Sequence, residues 1–124
     1  MLPLMIVDDS NVIRRKIDRF NQKSKIFKVV AMASNGRDAL RKFGIAQPKV
    51  VTMDLTMPHM DGIECIEELM ARDPSLHILV ISALKDKATG IEALQKGASG
   101  FLCKPFTERQ LEEALLELVE NQYV

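Results

Sequence analysis

The stretch Val50-Val51-Thr52-Met53-Asp54-Leu55-Thr56-Met57-Pro58-His59-Met60-Asp61-Gly62 reads as a short, mostly apolar strand that ends in an acid and runs into a proline-containing loop. A run this short and this apolar suits a strand buried on both faces, the kind that fills a parallel sheet. Two further runs have the same form. Leu4-Met5-Ile6-Val7 ends in Asp8 and Asp9, and Gly100-Phe101-Leu102-Cys103 is followed by Lys104 and Pro105. Parallel strands present their carboxyl ends along one edge, where open α/β sheets hold their ligands. The acids and the lysine therefore converge on one crevice although they are far apart in sequence.

Helical patterns fill the intervals. From Ser10 to about Asn21, Ile13, Ile17 and Phe20 recur at helical spacing. Phe27 to Ala33 reads as a second strand. Ser34-Asn35-Gly36 opens a helix with Ala39, Leu40 and Phe43 on one face, and Gln47-Pro48 stops it, because the residue before proline avoids the α region. Asp61-Gly62 forms a turn and cap before a helix with Ile63, Ile66, Leu69 and Met70 inward. Ile78 to Ser82, the most apolar strand, is expected near the sheet centre. Asp86 to Lys96 is a weaker helix interrupted by Gly90, which costs about 1 kcal/mol against alanine, and Gly97 stops it. Phe101 to Cys103 is the last strand. Thr107-Glu108-Arg109-Gln110 has capping-box form and precedes an inward stripe of Leu111, Ala114, Leu115, Leu118 and Val119. Five βα units predict one α/β domain over residues 1–124, a parallel sheet with helices on both faces.

Composition narrows the function. Seventeen basic and 17 acidic residues give a formal net charge of zero, which favours neither a nucleic-acid nor an anionic-membrane surface. Arg14-Arg15-Lys16 reads as a solvated helix face. No run approaches transmembrane length and no export signal is expected, so the reading is cytoplasmic. Cys65 and Cys103 have no metal-like spacing and read as reduced thiols. His59 and His77 do not pair into a metal site. Gly97-Ala98-Ser99-Gly100 resembles a phosphate loop in composition only. The methionines read as gap-fillers, with Met57 and Met60 as candidates to line the site loop.

Asp8, Asp9 and Asp54 at one edge repel one another unless neutralised, and Mg2+ neutralises them well through oxygen ligands. The chemistry this suggests is phosphoryl transfer onto Asp54, since a carboxylate positioned in line can form an acyl phosphate. Asp9 and Asp54 would hold the cation, Asp8 a metal-bound water. Lys104 would supply charge from the opposite side, and Ser82 would donate to a further phosphoryl oxygen. Each residue also has a plain structural reading. Asp8 or Asp9 can cap the helix near Ser10, Asp54 can form a turn, Lys104 can be a surface lysine, and Ser82 alone says little. Convergence at one edge favours the functional reading.

The segments Val7-Asp8-Asp9-Ser10, Met53-Asp54-Leu55-Thr56-Met57-Pro58-His59-Met60-Asp61-Gly62, Ile81-Ser82-Ala83 and Lys104-Pro105-Phe106 together resemble the motif set of two-component response regulator receiver domains, across essentially the whole chain. The resemblance implies the flavodoxin-like (CheY-like) doubly wound five-stranded sheet of order 2-1-3-4-5. It implies Asp54 as phosphoacceptor, Asp9 as direct ligand of Mg2+ (or Mn2+), Asp8 as its water-mediated partner and Thr56 as a backbone-carbonyl ligand. Ser82 matches the switch hydroxyl, Phe101 the switch aromatic and Lys104 the phosphate-pairing lysine, with a cis Lys104-Pro105 bond. The implied donor is a phosphohistidine on a sensor histidine kinase, or a small acyl phosphate. The protein would then catalyse only its own phosphorylation and dephosphorylation.

Two departures are visible. Phe101 lacks the hydroxyl of a tyrosine, and Thr56 and Leu84 are not the amide and acid of the enteric chemotaxis regulator. Arg14, four residues after Ser10, is most like the chemotaxis branch. The expected switch draws Ser82 toward the phosphoryl group and admits the Phe101 ring behind it. This would alter the helix 4–strand 5–helix 5 face for an output protein. Leu116 is a candidate for that surface. An aspartate-nucleophile phosphatase would want a second acid where Thr56 stands, and a flavin carrier would want a phosphate-binding turn where Asp8-Asp9-Ser10-Asn11 stands. A pure interaction module would not need the full acid–lysine set.

Overall fold

Strands and helices alternate along the chain in a computed structural model that describes residues 1–57, 60–83 and 87–120. The order is β1 (Leu2–Val7), α1 (Asn11–Gln22), β2 (Phe27–Ala33), α2 (Gly36–Ala46), β3 (Val50–Met53), α3 (Gly62–Arg72), β4 (His77–Ser82), α4 (Lys87–Gln95), β5 (Gly100–Cys103) and α5 (Glu108–Val119). Pro58, His59, Leu84 and the expected Asp86 start of the fourth helix lie outside the described residues. The sheet is parallel throughout, with order β2-β1-β3-β4-β5. β3 holds the middle position, and β4 lies next to it, near the centre as expected.

Alternation along each strand sorts the core into two halves. Met5, Val7, Val51, Met53, Ile78 and Val80 pack with Ala39, Ile66 and Leu69 on the α2–α3–α4 side. Leu4, Ile6, Val50, Leu79 and Ile81 pack with Ile17, Phe20, Leu111, Leu115 and Val119 on the α1–α5 side. With helices over both faces, the interior strands need apolar residues at successive positions, which is why they read as continuous runs. Each fully buried Leu or Ile contributes about 1.5–3 kcal/mol relative to exposure.

The edge strand β2 keeps this sorting only through a bulge. Leu4 pairs with Val29 but Met5 pairs with Ala31, so Val30 is skipped. Phe27 and Val29 therefore join the α1–α5 core, and Ala31 and Ala33 the other. An inserted residue re-aims every side chain beyond it.

Side-chain caps fix where the helices begin. Ser10 Oγ accepts from Ile13 N at 3.3 Å, so the cap of α1 is Ser10 and neither Asp8 nor Asp9. Asn35 and Asp61 cap α2 and α3, and Thr107 with Gln110 forms the full capping box of α5. Gln47 closes α2 in the left-handed region at φ 50°, and Gly97 follows α4 at φ 121°. Leu116 is half-buried against the α1–α5 core and lines a groove with Phe20 and Ile26. It is therefore on the α1 side of α5, away from the surface first considered for it.

Candidate functional site

The strand ladders run one residue beyond the strands and so place the acids. Val7 pairs with Met53. Asp54 N then donates to Val7 O at 2.9 Å, Asp8 N to Ala33 O at 3.1 Å and Lys104 N to Ser82 O at 3.0 Å. Backbone pairing, not side-chain chemistry, thus sets the spacing of Asp8, Asp54 and Lys104 along the edge.

One carboxylate oxygen from each of Asp8, Asp9 and Asp54 lies within 4.8 Å of the others. Asp8 and Asp54 are buried, and Asp9 opens to solvent. Lys104 reaches in from β5, its Nζ 2.8 Å from Asp8 Oδ2 and 3.5 Å from Asp54 Oδ1. Asp8 Oδ1 accepts from Ser10 N at 2.8 Å, and Asp54 Oδ1 from Thr56 N at 3.5 Å. Burial of Asp54, reinforced by the Asp8 charge, pushes its carboxyl up to about 6, against the pull of Lys104 and the Thr56 N–H, with Asp9 adding to the rise. An acid so shifted is still mostly ionised at neutral pH, as a nucleophile must be.

The donor set fits a hard divalent cation: three carboxylates converge, their oxygens suit Mg2+, and one ammonium does not balance three negative charges. Thr56 is exposed beside Asp54. Ser82 is 1% exposed at the end of β4, level with Cys103. Phe101 is half-buried and faces α4, where a methyl on Gly90 would lie 3.8 Å from its ring. The Lys104-Pro105 bond is cis. Met57 and Met60 pack against the α2–α3–α4 core, and Met60 sits on Gly36. Cys65 is buried, its thiol pushed up to about 12 by that burial, whereas Cys103 is exposed.

Gly62 has a role beyond the expected turn. A Cβ there would lie 2.3 Å from Asp54 O and 2.6 Å from Leu55 Cα, so only glycine lets α3 start against the Asp54 backbone. Two other participants escape a sequence reading. Arg14 Nη1 donates to Asp8 O at 2.6 Å, and Lys16 Nζ donates to Phe106 O at 2.5 Å and lies 4.4 Å from the Phe106 ring centroid. Neither is the solvated helix face expected of Arg14-Arg15-Lys16; of the three only Arg15 is exposed. The available signal was their place in the first turns of α1, directly after the acids.

The family description "Response regulator receiver domain" matches residues 4–116. The Listeria monocytogenes chemotaxis protein CheY is 42% identical over 115 residues, which is 93% of this chain and 96% of that protein. Thermotoga maritima CheY is 41% identical over 112 residues, 90% of this chain and 92% of its own length. Among solved structures, the CheX-CheY-BeF3-Mg2+ complex from Borrelia burgdorferi superposes with a TM-score of 0.86 at 30% identity, over 99% of this chain and 90% of that one. The response regulator domain of Thermotoga maritima CheB gives 0.86 at 32% identity, over 98% and 95%.

Proposed function

The chain belongs to the response regulator receiver domain family, and from that premise we propose that it is the phosphorylation-dependent switch of a two-component chemotaxis pathway, with Asp54 as its phosphoacceptor. The observation that carries this reading is the Lys104 ammonium within 2.8 Å of Asp8 and 3.5 Å of Asp54, at the mouth of the acid trio. A phosphoryl group arriving at Asp54 brings oxygens that need positive charge as they develop it, and Lys104 is placed to give it from one side. Bound Mg2+ supplies the remaining positive charge; Asp8, Asp9, Asp54 and the Thr56 carbonyl are the groups that would hold it. Ser82, at the neighbouring strand end, is the hydroxyl for a further phosphoryl oxygen, and Asp54 needs no separate base because it is already ionised at neutral pH.

The donor in this reading is a sensor histidine kinase, and residues 1–124 form the receiver. The protein then turns over no external substrate. Phe101 lies beside Gly90 of α4, whose Ile91 and Leu94 are 55% and 51% exposed. That supports an output partner on the α4–β5–α5 face, with Ser82 and Phe101 as the switch pair. Among the described residues no helix is long and apolar enough to cross a membrane; with zero net charge, this supports a cytoplasmic protein that engages neither membrane nor nucleic acid. The CheY relatives support the chemotaxis assignment.

Incubation with acetyl phosphate and Mg2+ followed by intact mass tests the assignment. One phosphoryl adduct is expected, lost with chelator and absent in Asp54→Asn. An adduct that survives Asp54→Asn would overturn it.

A further inference from the structure

We propose that Lys16 is a positioning residue for Lys104, so that α1 sets the spacing of the site through two cationic tethers. The inference rests on Asp54 being the acceptor.

The tethers leave one helix toward two different loops. Arg14 Nη1 holds Asp8 O at 2.6 Å, at the turn that carries the acids. Lys16 Nζ holds Phe106 O at 2.5 Å, on the turn that carries Lys104. Residues two apart on a helix point to different sides, so a single helix can reach both turns only with long side chains of this kind. The Lys16 ammonium also lies 4.4 Å from the Phe106 ring centroid, within cation–π range. Among the described residues it forms no salt bridge. A solvated surface lysine has no reason to adopt this double contact.

The turn it grips is short. Lys104 N is fixed to Ser82 O at 3.0 Å, and Thr107 caps α5. Between them Phe106 is 4% exposed, so its ring is locked in the α1–α5 core. The Lys104 backbone is thus held by β4 before it and by Lys16 through Phe106 after it. Without Lys16, the Phe106 carbonyl loses its donor and the turn loses its hold on α1. The ammonium two residues upstream then no longer has its reach set to Asp8 and Asp54. Displacement of a charge-stabilising group by about 1 Å can cost up to about 100-fold in rate.

The test compares wild type, Lys16→Met and Lys16→Arg, with two readouts. Initial rates of phosphoryl uptake from acetyl phosphate come from intact mass, and Mg2+ affinity comes from titrating the melting temperature. Lys16→Met is expected to take up phosphate about fivefold more slowly. Its Mg2+ midpoint should not rise above that of wild type, because Arg14 still holds the acids and an ammonium displaced from Asp8 competes less with the cation. Lys16→Arg, which can both donate to the carbonyl and stack on the ring, should return the rate to within about twofold. General loosening of the fold would slow the rate and raise the midpoint together. A Lys16→Met rate equal to wild type, a raised midpoint, or a Lys16→Arg variant as slow as Lys16→Met would overturn the proposal. If Lys16→Met melts below assay temperature, Lys16→Gln, with neither the reach nor the charge, carries the same test. A wild-type protein that takes up no phosphate removes the Asp54 reading and the inference with it, a result distinct from those above.

Discussion

The Lys104 ammonium is bonded to Asp8, at 2.8 Å, more closely than to Asp54, at 3.5 Å. In the proposed function, the lysine that would neutralise phosphate is thus first engaged with an acid that would hold metal. A metal ion held by the acid trio would share the Asp8 carboxylate with Lys104, and each would weaken the hold of the other.

Lys104→Met should therefore have opposite effects with and without metal. In chelator it leaves buried Asp8 without its ion-pair partner and lowers stability by about 2 kcal/mol, reduced from a fully buried pair because Lys104 is partly solvated. The rise in melting temperature on adding Mg2+ should then exceed that of wild type, since the cation no longer competes with an ammonium. Thermal scans of both proteins at several Mg2+ concentrations decide this. An equal or smaller rise in the variant would rule out the competition.

Asp54 carries a pH signature. Its folded carboxyl is raised to about 6 by burial and by Asp8, above the ordinary value of about 4. The folded state then holds a proton that the unfolded state has released. Stability from this group is full below the ordinary value and is lost as pH rises through about 6. In chelator, Asp54→Asn should be more stable than wild type at pH 7, with the gap narrowing below pH 6 and closing toward pH 4. A gap independent of pH would show that Asp54 is not raised.

Thr52 is a removable cost. Its hydroxyl is buried on β3 and has no hydrogen-bond partner. Replacement by the near-isosteric Thr52→Val removes an unsatisfied polar group and should stabilise by about 1 kcal/mol. Urea denaturation with an unchanged m-value checks it, and destabilisation would mean that the hydroxyl is satisfied in solution.

Gly62→Ala should do the reverse. The new methyl meets Asp54 O at 2.3 Å and Leu55 Cα at 2.6 Å, both backbone atoms that cannot swing away. A loss of about 2 kcal/mol is expected, with slower phosphoryl uptake at Asp54. Alanine tolerated in both measurements would show that α3 is free to shift.

Much of this was readable in advance because it is local or periodic. Apolar runs closed by Asp8, Asp54 and Lys104 marked the strand ends, and Asp61 and Thr107 marked helix starts. Long-range pairing was less accessible. Lys16 finds Phe106 across 90 positions of sequence, and nothing beside Lys16 announces that partner. The adjacent residues Val29 and Val30 are both good strand formers, so the skipped position leaves no trace in the pattern. Apolarity put β4 near the centre without ranking it against β3, because both are interior and burial on both faces makes the same compositional demand of each.

The skipped Val30 also bears on how the molecule lives in a crowd. β2 is an outer strand of the sheet, and a regular outer strand is a template on which another polypeptide can add by backbone pairing. The irregularity breaks the even row of donors and acceptors such a guest would need, and Lys42 Nζ occupies the Met32 carbonyl at 2.6 Å farther along. The same device that aims β2 into both cores thereby discourages fibre-like growth from its free side.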